Sequence, residues 1–144
     1  MPARPKPATH TNTSFKWPAR VYWEDTDGGG VVYHANYIKF FERARTEWLR
    51  AKGFEQRPLL AQQVVFAVYA MQVKFLKPAR LDDALQVSVT LSACRRASFS
   101  VSQRIVDARS GDELCTAEVE IACLDHASFR PMPMPPDLLR EIQR

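Results

Sequence analysis

One segment of helical period followed by four long segments of strand period restricts the fold more than any other feature of this chain. Residues 37–52, YIKFFERARTEWLRAK, place apolar side chains at i, i+3, i+4 and i+7, with most charges opposite. Four segments of alternating period follow, at 64–78, 84–95, 97–108 and 113–125. With a first strand at 15–24, this order predicts an α+β domain in which one long helix packs on a five-stranded antiparallel sheet.

The ends of these elements carry recognisable signals. Asn36 is a favourable N-cap for the helix, and Gly53 is a favourable stop after it.

The 144 residues suit one domain, which we expect over 15–126. We expect residues 1–14 to form a flexible tail without the apolar stretch of a secretory signal, and residues 127–144 to be a proline-rich tail with a short helix.

Composition narrows the class of protein. Three cysteines without C-x-x-C spacing disfavour a disulfide framework or a zinc ribbon and favour a reducing, cytoplasmic location. The net charge of +4 is scattered with no basic run, which disfavours nucleic acid but leaves phosphate-bearing small ligands open. No apolar run approaches the roughly 18 residues that span a bilayer, so we expect no integral membrane span.

The loop EDTDGGGVVYH, residues 24–34, holds most of the chemistry in the sequence. A calcium loop starting at Asp25 would need a bidentate Glu at its twelfth position, where Asn36 stands. A transition-metal site at His34 lacks a second histidine nearby. A plain turn accounts for the glycines but not for the gathered acids, Tyr33 and His34. A catalytic carboxylate beside a helix N-terminus accounts for both, and we expect no metal.

The stretch VYWEDTDGGGVVYHANYIKFFERARTEWLR resembles the hotdog acyl-CoA thioesterases of the 4-hydroxybenzoyl-CoA thioesterase family. Within it, the stretch is most similar to the subgroup associated with the Tol–Pal system. A second block, VKFLKPARLDD at 73–83, also resembles the family. The resemblance implies a hotdog fold and hydrolysis of an acyl-CoA to free acid and CoA, without metal or cofactor.

The resemblance also implies roles for residues of the glycine loop. Asp27 takes the place of the catalytic acid, either as general base or as nucleophile. His34 stands at the histidine position of the Tol–Pal-associated subgroup and is a second catalytic candidate, while Tyr33 either walls the pocket or contacts substrate. Gly28 stands where the family usually has Ala or Pro, so we expect a looser loop here.

Other substrate contacts are implied further along the chain. The family polarises the thioester carbonyl with backbone N–H groups before the second strand, which correspond here to 63–66 and make Val65 and Phe66 candidates. A basic pair in CRRASF corresponds to the family's contacts with the CoA nucleotide and would use Arg95, Arg96 and Ser98. Candidates for the acyl slot are Phe40, Phe41, Trp48, Phe66 and Tyr69.

Exposed sheet edges together with the resemblance predict a homodimer or homotetramer with the site at a subunit interface. Two alternatives are a hotdog dehydratase or hydratase, whose different acid–histidine motif is not seen here, and a scaffold that binds acyl carrier protein or lipid-synthesis enzymes with little hydrolysis. The basic surface would suit an acidic carrier protein.

Overall fold

The computed structural model describes residues 14–144 and contains a five-stranded antiparallel sheet with one long helix against one face. The strands are β1 (Phe15–Arg20), β2 (Val64–Phe75), β3 (Ala84–Cys94), β4 (Ser98–Asp107) and β5 (Glu113–Asp125). The helices are α1 (His34–Ala51), α2 (Gln56–Ala61) and α3 (Pro136–Gln143). The strand order is β1-β3-β4-β5-β2, so β1 and β2 form the two edges. The tail expected at 1–14 falls almost wholly outside the described residues.

The core lies between α1 and the inner face of the sheet. Apolar residues of α1 at helical spacing are buried, and alternate residues of β3, β4 and β5 are buried opposite them. The members contributed by α1 are Tyr37, Phe40, Phe41, Ala44, Trp48 and Leu49. A helix wrapped by an antiparallel sheet is the predicted α+β hotdog arrangement, and that prediction is confirmed.

Several predicted boundaries were wrong. The first strand ends at Arg20, not at residue 24, and a 3-10 helix, Trp23–Asp25, follows it. Helix α1 begins at His34 with Tyr33 as its N-cap, so Asn36 lies inside the first turn. Gly53 does follow the helix as predicted, at a φ of +96° that favours glycine.

The chain between α1 and β2, for which no element was predicted, contains α2. Leu59 of α2 is buried, so this short helix is held by packing on the core. Strand β2 ends at Phe75, three residues before the predicted boundary at 78.

The C-terminal segment is packed against the rest of the domain. Leu138 and Ile142 of α3 are buried in the same core as α1, and Met134 before the helix is buried with them. Within residues 14–144, no helix is both long and apolar enough to cross a membrane.

All three cysteines are free thiols. Burial raises the pKa of Cys115 to about 12 and that of Cys123 to about 11. These two thiols therefore stay protonated at neutral pH and behave as small apolar core residues.

The two sheet edges differ in how they are protected. Strand β1 spans 6 residues and carries Lys16, Pro18 and Arg20, which are residues that discourage further strand pairing. Strand β2 spans 12 residues and exposes Val68 and Tyr69 near its middle, where a bulge interrupts its pairing with β5. The open edge of the sheet is therefore β2.

Candidate active site

Asp27 is held in a defined geometry by its own loop. Its backbone N–H donates to the Val31 carbonyl at 3.0 Å, and its Oδ1 accepts from the Gly29 N–H at 2.8 Å. Gly28 and Gly30 adopt φ values of +90° and +84°, which glycine reaches without strain. Within residues 14–144, the other carboxylate oxygen, Oδ2, accepts no hydrogen bond. One oxygen of Asp27 is thus fixed and the other is free to react.

The glycine loop is tied to the chain that follows β2. The Gly30 carbonyl accepts from Leu81 N–H at 3.0 Å, and Val32 N–H donates to the Ala79 carbonyl at 2.8 Å. The two sequence blocks that carry the family resemblance therefore lie side by side. These bonds constrain the loop in spite of its three consecutive glycines.

Asp25 has a structural place in the same turn. It is buried, and its Oδ2 accepts from Tyr22 N–H at 2.8 Å. Its carbonyl accepts from Tyr33 N–H and from Asn36 Nδ2, both at 2.9 Å. Asp25 fixes the entry into α1 and leaves Asp27 as the exposed acid of the pair.

The N-terminus of α1 lies directly after this loop. The first N–H groups of a helix have no acceptor within the helix. Asn36 N–H donates to the Tyr33 carbonyl at 2.8 Å, whereas the N–H groups of His34 and Ala35 have no backbone acceptor elsewhere in residues 14–144. These two donors, with the positive end of the helix dipole, are suited to a developing negative charge.

Aromatic side chains surround the start of α1. The rings of Tyr33 and His34 lie 4.5 Å apart between centroids, and the ring of Phe75 at the end of β2 packs edge-on against His34 at 6.3 Å. Both Tyr33 and His34 are exposed, and within the described residues neither side chain hydrogen-bonds to Asp27.

Tyr37 is a polar residue of this region that sequence reasoning assigned only to the apolar helix face. Its hydroxyl accepts from Ala79 N–H at 2.9 Å, and its ring packs edge-on against Phe75 at 5.5 Å. Burial raises the pKa of the Tyr37 phenol and the hydrogen bond from Ala79 N–H lowers it, while the negative charges of Asp27 and Asp83 raise it further. The hydroxyl therefore stays protonated and keeps a donor near Asp27.

The remaining predicted site residues lie at the opposite end of the sheet. Val65 and Phe66 stand at the beginning of β2, whereas Phe75 beside His34 stands at its end. Ser98 lies at the same end of the sheet as Phe66, because Ser98 on β4 and Ala67 on β2 both pair with Ala122 on β5. One chain alone therefore does not bring Asp27 together with its predicted carbonyl and phosphate contacts.

The exposed residues Arg95 and Arg96 form the turn between β3 and β4. Arg95 N–H donates to the Ser98 carbonyl at 2.8 Å, and the Arg96 carbonyl accepts from Met134 N–H at 2.9 Å. Neither guanidinium forms an ion pair within residues 14–144. Both are available to bind an anion.

A cavity of about 420 Å³ opens beside the Phe66 end of β2. Its walls combine polar side chains from α1 and α2 with apolar side chains from α1 and the sheet. The lining residues are Glu42, Arg45, Thr46, Trp48, Leu49, Gln56, Phe66, Val68, Phe99 and Ile121. Of the residues predicted to form an acyl slot, Trp48 and Phe66 line this cavity.

The other three acyl-slot candidates lie elsewhere. Phe40 and Phe41 are fully buried core residues, and Tyr69 is exposed at the bulge of β2. Within residues 14–144, no three His, Cys, Asp or Glu side chains gather closely enough to hold a metal ion.

Comparison with known proteins identifies the family of this chain. Residues 21–142 match the family model described as the thioesterase-like superfamily. The chain belongs to the thioesterase-like superfamily. The match runs through α3, in agreement with the packing of that helix on the core.

Relatives of this thioesterase-like chain span its whole domain. It is 46% identical to the acyl-CoA thioester hydrolase YbgC of Escherichia coli O6:H1 over 132 residues, which is 92% of this chain and 98% of that protein. It is 42% identical to the acyl-CoA thioesterase YbgC of Haemophilus influenzae, over 88% of this chain and 93% of that protein. A crystal structure of a probable thioesterase from Bartonella henselae is 39% identical with a TM-score of 0.78, over 85% of this chain and 99% of that one.

Proposed function

We propose that this protein hydrolyses acyl-CoA thioesters to a free carboxylic acid and CoA, with Asp27 as general base or nucleophile. The observation that carries the proposal is the Asp27 carboxylate, which has one oxygen fixed by Gly29 and one free, beside the unpaired N–H groups that begin α1. The 46% identity to an acyl-CoA thioester hydrolase supports the same chemistry. The free cysteines support a reducing compartment such as the cytoplasm.

The proposed reaction needs two contributions from the chain. The N–H groups of His34 and Ala35 donate to the thioester carbonyl oxygen and stabilise the negative charge that develops there. Oδ2 of Asp27 removes a proton from water as the water oxygen attacks the carbonyl carbon. Alternatively Oδ2 attacks directly, and water then hydrolyses the resulting anhydride. In either route the carbon–sulfur bond breaks and CoA leaves as its thiol.

A second copy of the chain would complete the site. From Phe66 to Phe75 the edge strand β2 extends about 30 Å, since a strand rises about 3.3 Å per residue. Antiparallel pairing of two β2 edges about a two-fold axis places the Phe66 end of one copy beside the Phe75 end of the other. Asp27 of one copy would then face the cavity, Arg95 and Arg96 of its partner. The open β2 edge supports this dimer, and two dimers could pair into a tetramer.

The hydrolysis is tested by thiol release across acyl-CoAs from short to long chains, with benzoyl-CoA as an aromatic member. We expect release of CoA from at least one member, and the profile of rates identifies the preferred acyl group. Absence of thiol release from every member would contradict the proposal. In that event, binding of acyl carrier protein, measured by calorimetry, would favour the scaffold alternative.

The proposed dimer predicts the effect of one charge on the β2 edge. Val68→Lys would insert an unpaired cation into each of the two paired β2 edges, so we expect the variant to sediment as a monomer where the wild type sediments as a dimer or tetramer. Leu60→Lys on α2 is the matched control, because Leu60 and Val68 are each 44% exposed. A monomeric wild type, or an equal effect of the two substitutions, would rule out β2 as the interface.

A further inference from the structure

Arg45 is a buried cation on the inner face of α1. It is 9% exposed, and its Nη1 donates to Oε1 of Gln103 at 3.0 Å. Within residues 14–144, no carboxylate lies within the 4.0 Å of an ion pair with its guanidinium. A buried charge without a counter-ion is costly, and an oxygen-bearing ligand would offset part of that cost.

Gln103 sets the direction of the guanidinium. Gln103 is 1% exposed, and its Nε2 donates to the Phe41 carbonyl at 3.0 Å and to the Ser88 carbonyl at 3.4 Å. With both donors of its amide directed at backbone carbonyls, Gln103 can only offer its oxygen to Arg45. One nitrogen of Arg45 is thereby held against the sheet.

Arg45 is one of the residues that line the cavity. A guanidinium has five N–H donors, and the bond to Gln103 uses one of them. No fully enclosed side-chain nitrogen or oxygen within residues 14–144 lacks a hydrogen-bond partner, so the unpaired donors of Arg45 are accessible. Burial lowers the pKa of Arg45 while Glu42 raises it, and arginine remains charged at neutral pH.

The rest of the cavity suits a short acyl group. Its volume of about 420 Å³ lies within the range of small-molecule sites, and six of its ten lining residues are apolar, among them Trp48, Phe66 and Phe99. The other charged group in the lining is Glu42, which is exposed and repels an anion from its own side. An anionic group in the cavity is thus attracted to the side of the buried Arg45 and repelled from the side of the exposed Glu42.

We propose that this cavity receives the acyl group and that Arg45 is a specificity-determining residue. Arg45 selects acyl groups that carry an oxygen at their far end, and it prefers a carboxylate to a hydroxyl. A carboxylate accepts two charge-assisted hydrogen bonds from a guanidinium, whereas a hydroxyl accepts weaker ones and a methyl group leaves the cation unpaired. This inference rests on the proposed hydrolysis and on the pairing of β2 edges that brings the cavity to Asp27 of the other copy.

The test compares kcat/KM for pairs of acyl-CoAs of equal carbon number, namely succinyl- with butyryl-CoA, glutaryl- with pentanoyl-CoA and adipoyl- with hexanoyl-CoA. We expect wild type to prefer the dicarboxylic member of at least one pair by about tenfold or more, the scale of a charge-assisted hydrogen bond. Arg45→Met should remove that preference, because it should lower kcat/KM for the dicarboxylic member by more than it lowers kcat/KM for the monocarboxylic member. Arg45→Lys, which keeps the charge but not the planar fork, should retain part of the preference.

A merely structural role for Arg45 would lower both rates of a pair together and leave their ratio unchanged. Equal kcat/KM values within every pair for the wild type would overturn the inference without reference to any variant, so a variant that does not fold cannot hide the outcome. No thiol release from any acyl-CoA would instead contradict the proposed hydrolysis, and the inference would fall with it.

Discussion

Asp27→Asn is expected to lower kcat/KM for acyl-CoA hydrolysis at least about a hundredfold, the usual contribution of a positioned general base. The amide keeps the size of the carboxylate, and its oxygen can still accept from Gly29 N–H as Oδ1 of Asp27 does. It has neither the basicity to take a proton from water nor the charge to attack a carbonyl. The measurement is thiol release with the best acyl-CoA of the panel, for variant and wild type side by side.

Glu24→Gln is the matched control for this prediction. Glu24 lies three residues before Asp27 and is exposed, and its substitution removes the same charge. We expect its kcat/KM to stay close to that of the wild type. A similar fall in both variants would indicate that the overall charge of the loop matters, and an active Asp27→Asn variant would remove Asp27 from the mechanism.

Phe41→Ala is expected to lower the free energy of unfolding by about 3–5 kcal/mol, which is a large part of the stability of an average domain. Phe41 is fully buried on α1, where the helix packs on the inner face of the sheet. Its removal takes away buried apolar surface and leaves a cavity that the surrounding rigid elements cannot close. Urea unfolding followed by circular dichroism measures the change.

Phe129→Ala provides the comparison, because Phe129 loses the same atoms from a side chain that is 64% exposed. We expect its free energy of unfolding to change by no more than about 0.5 kcal/mol, as for ordinary surface positions. Equal losses in the two variants would contradict the assignment of Phe41 to the core.

The sequence was most informative where periodicity and packing agree. The helical spacing in residues 37–52 and the alternation in the later strands reflect one buried face on each element, so the element types and their order could be predicted. The loop around Asp27 could be found for a different reason. Acids, glycines and a histidine crowded before a helix are more than a turn requires.

The start of α1 and the separation of the predicted site residues within one chain could not be predicted from periodicity. The start of α1 depends on bonds from Tyr33 and Asn36 back to the Asp25 carbonyl, and periodicity does not register such bonds. The distance between Asp27 and the Phe66 end of β2 follows from the strand order and register, which are non-local. A sequence also cannot show that these two regions lie at opposite ends of the sheet in one copy of the chain.

Arg45 illustrates a third limit. In the pattern ERARTEW it reads as one more charge on an amphipathic helix, and its burial becomes evident only when Gln103 is placed opposite it. Gln103 in turn occupies an inward position of β4 between two apolar residues, Val101 and Ile105. A polar residue at an inward-facing strand position was the available signal for a buried polar pair.

The bond from Met134 N–H to the Arg96 carbonyl has a consequence for how the protein is made. The arginine turn between β3 and β4 is translated well before Met134, which binds it, and before α3, which contacts β3. During synthesis the turn therefore emerges without its support and acquires it only after α3 has left the ribosome. The turn that carries Arg95 and Arg96 is thus among the last parts of the domain to acquire its contacts, although it is encoded in the middle of the chain.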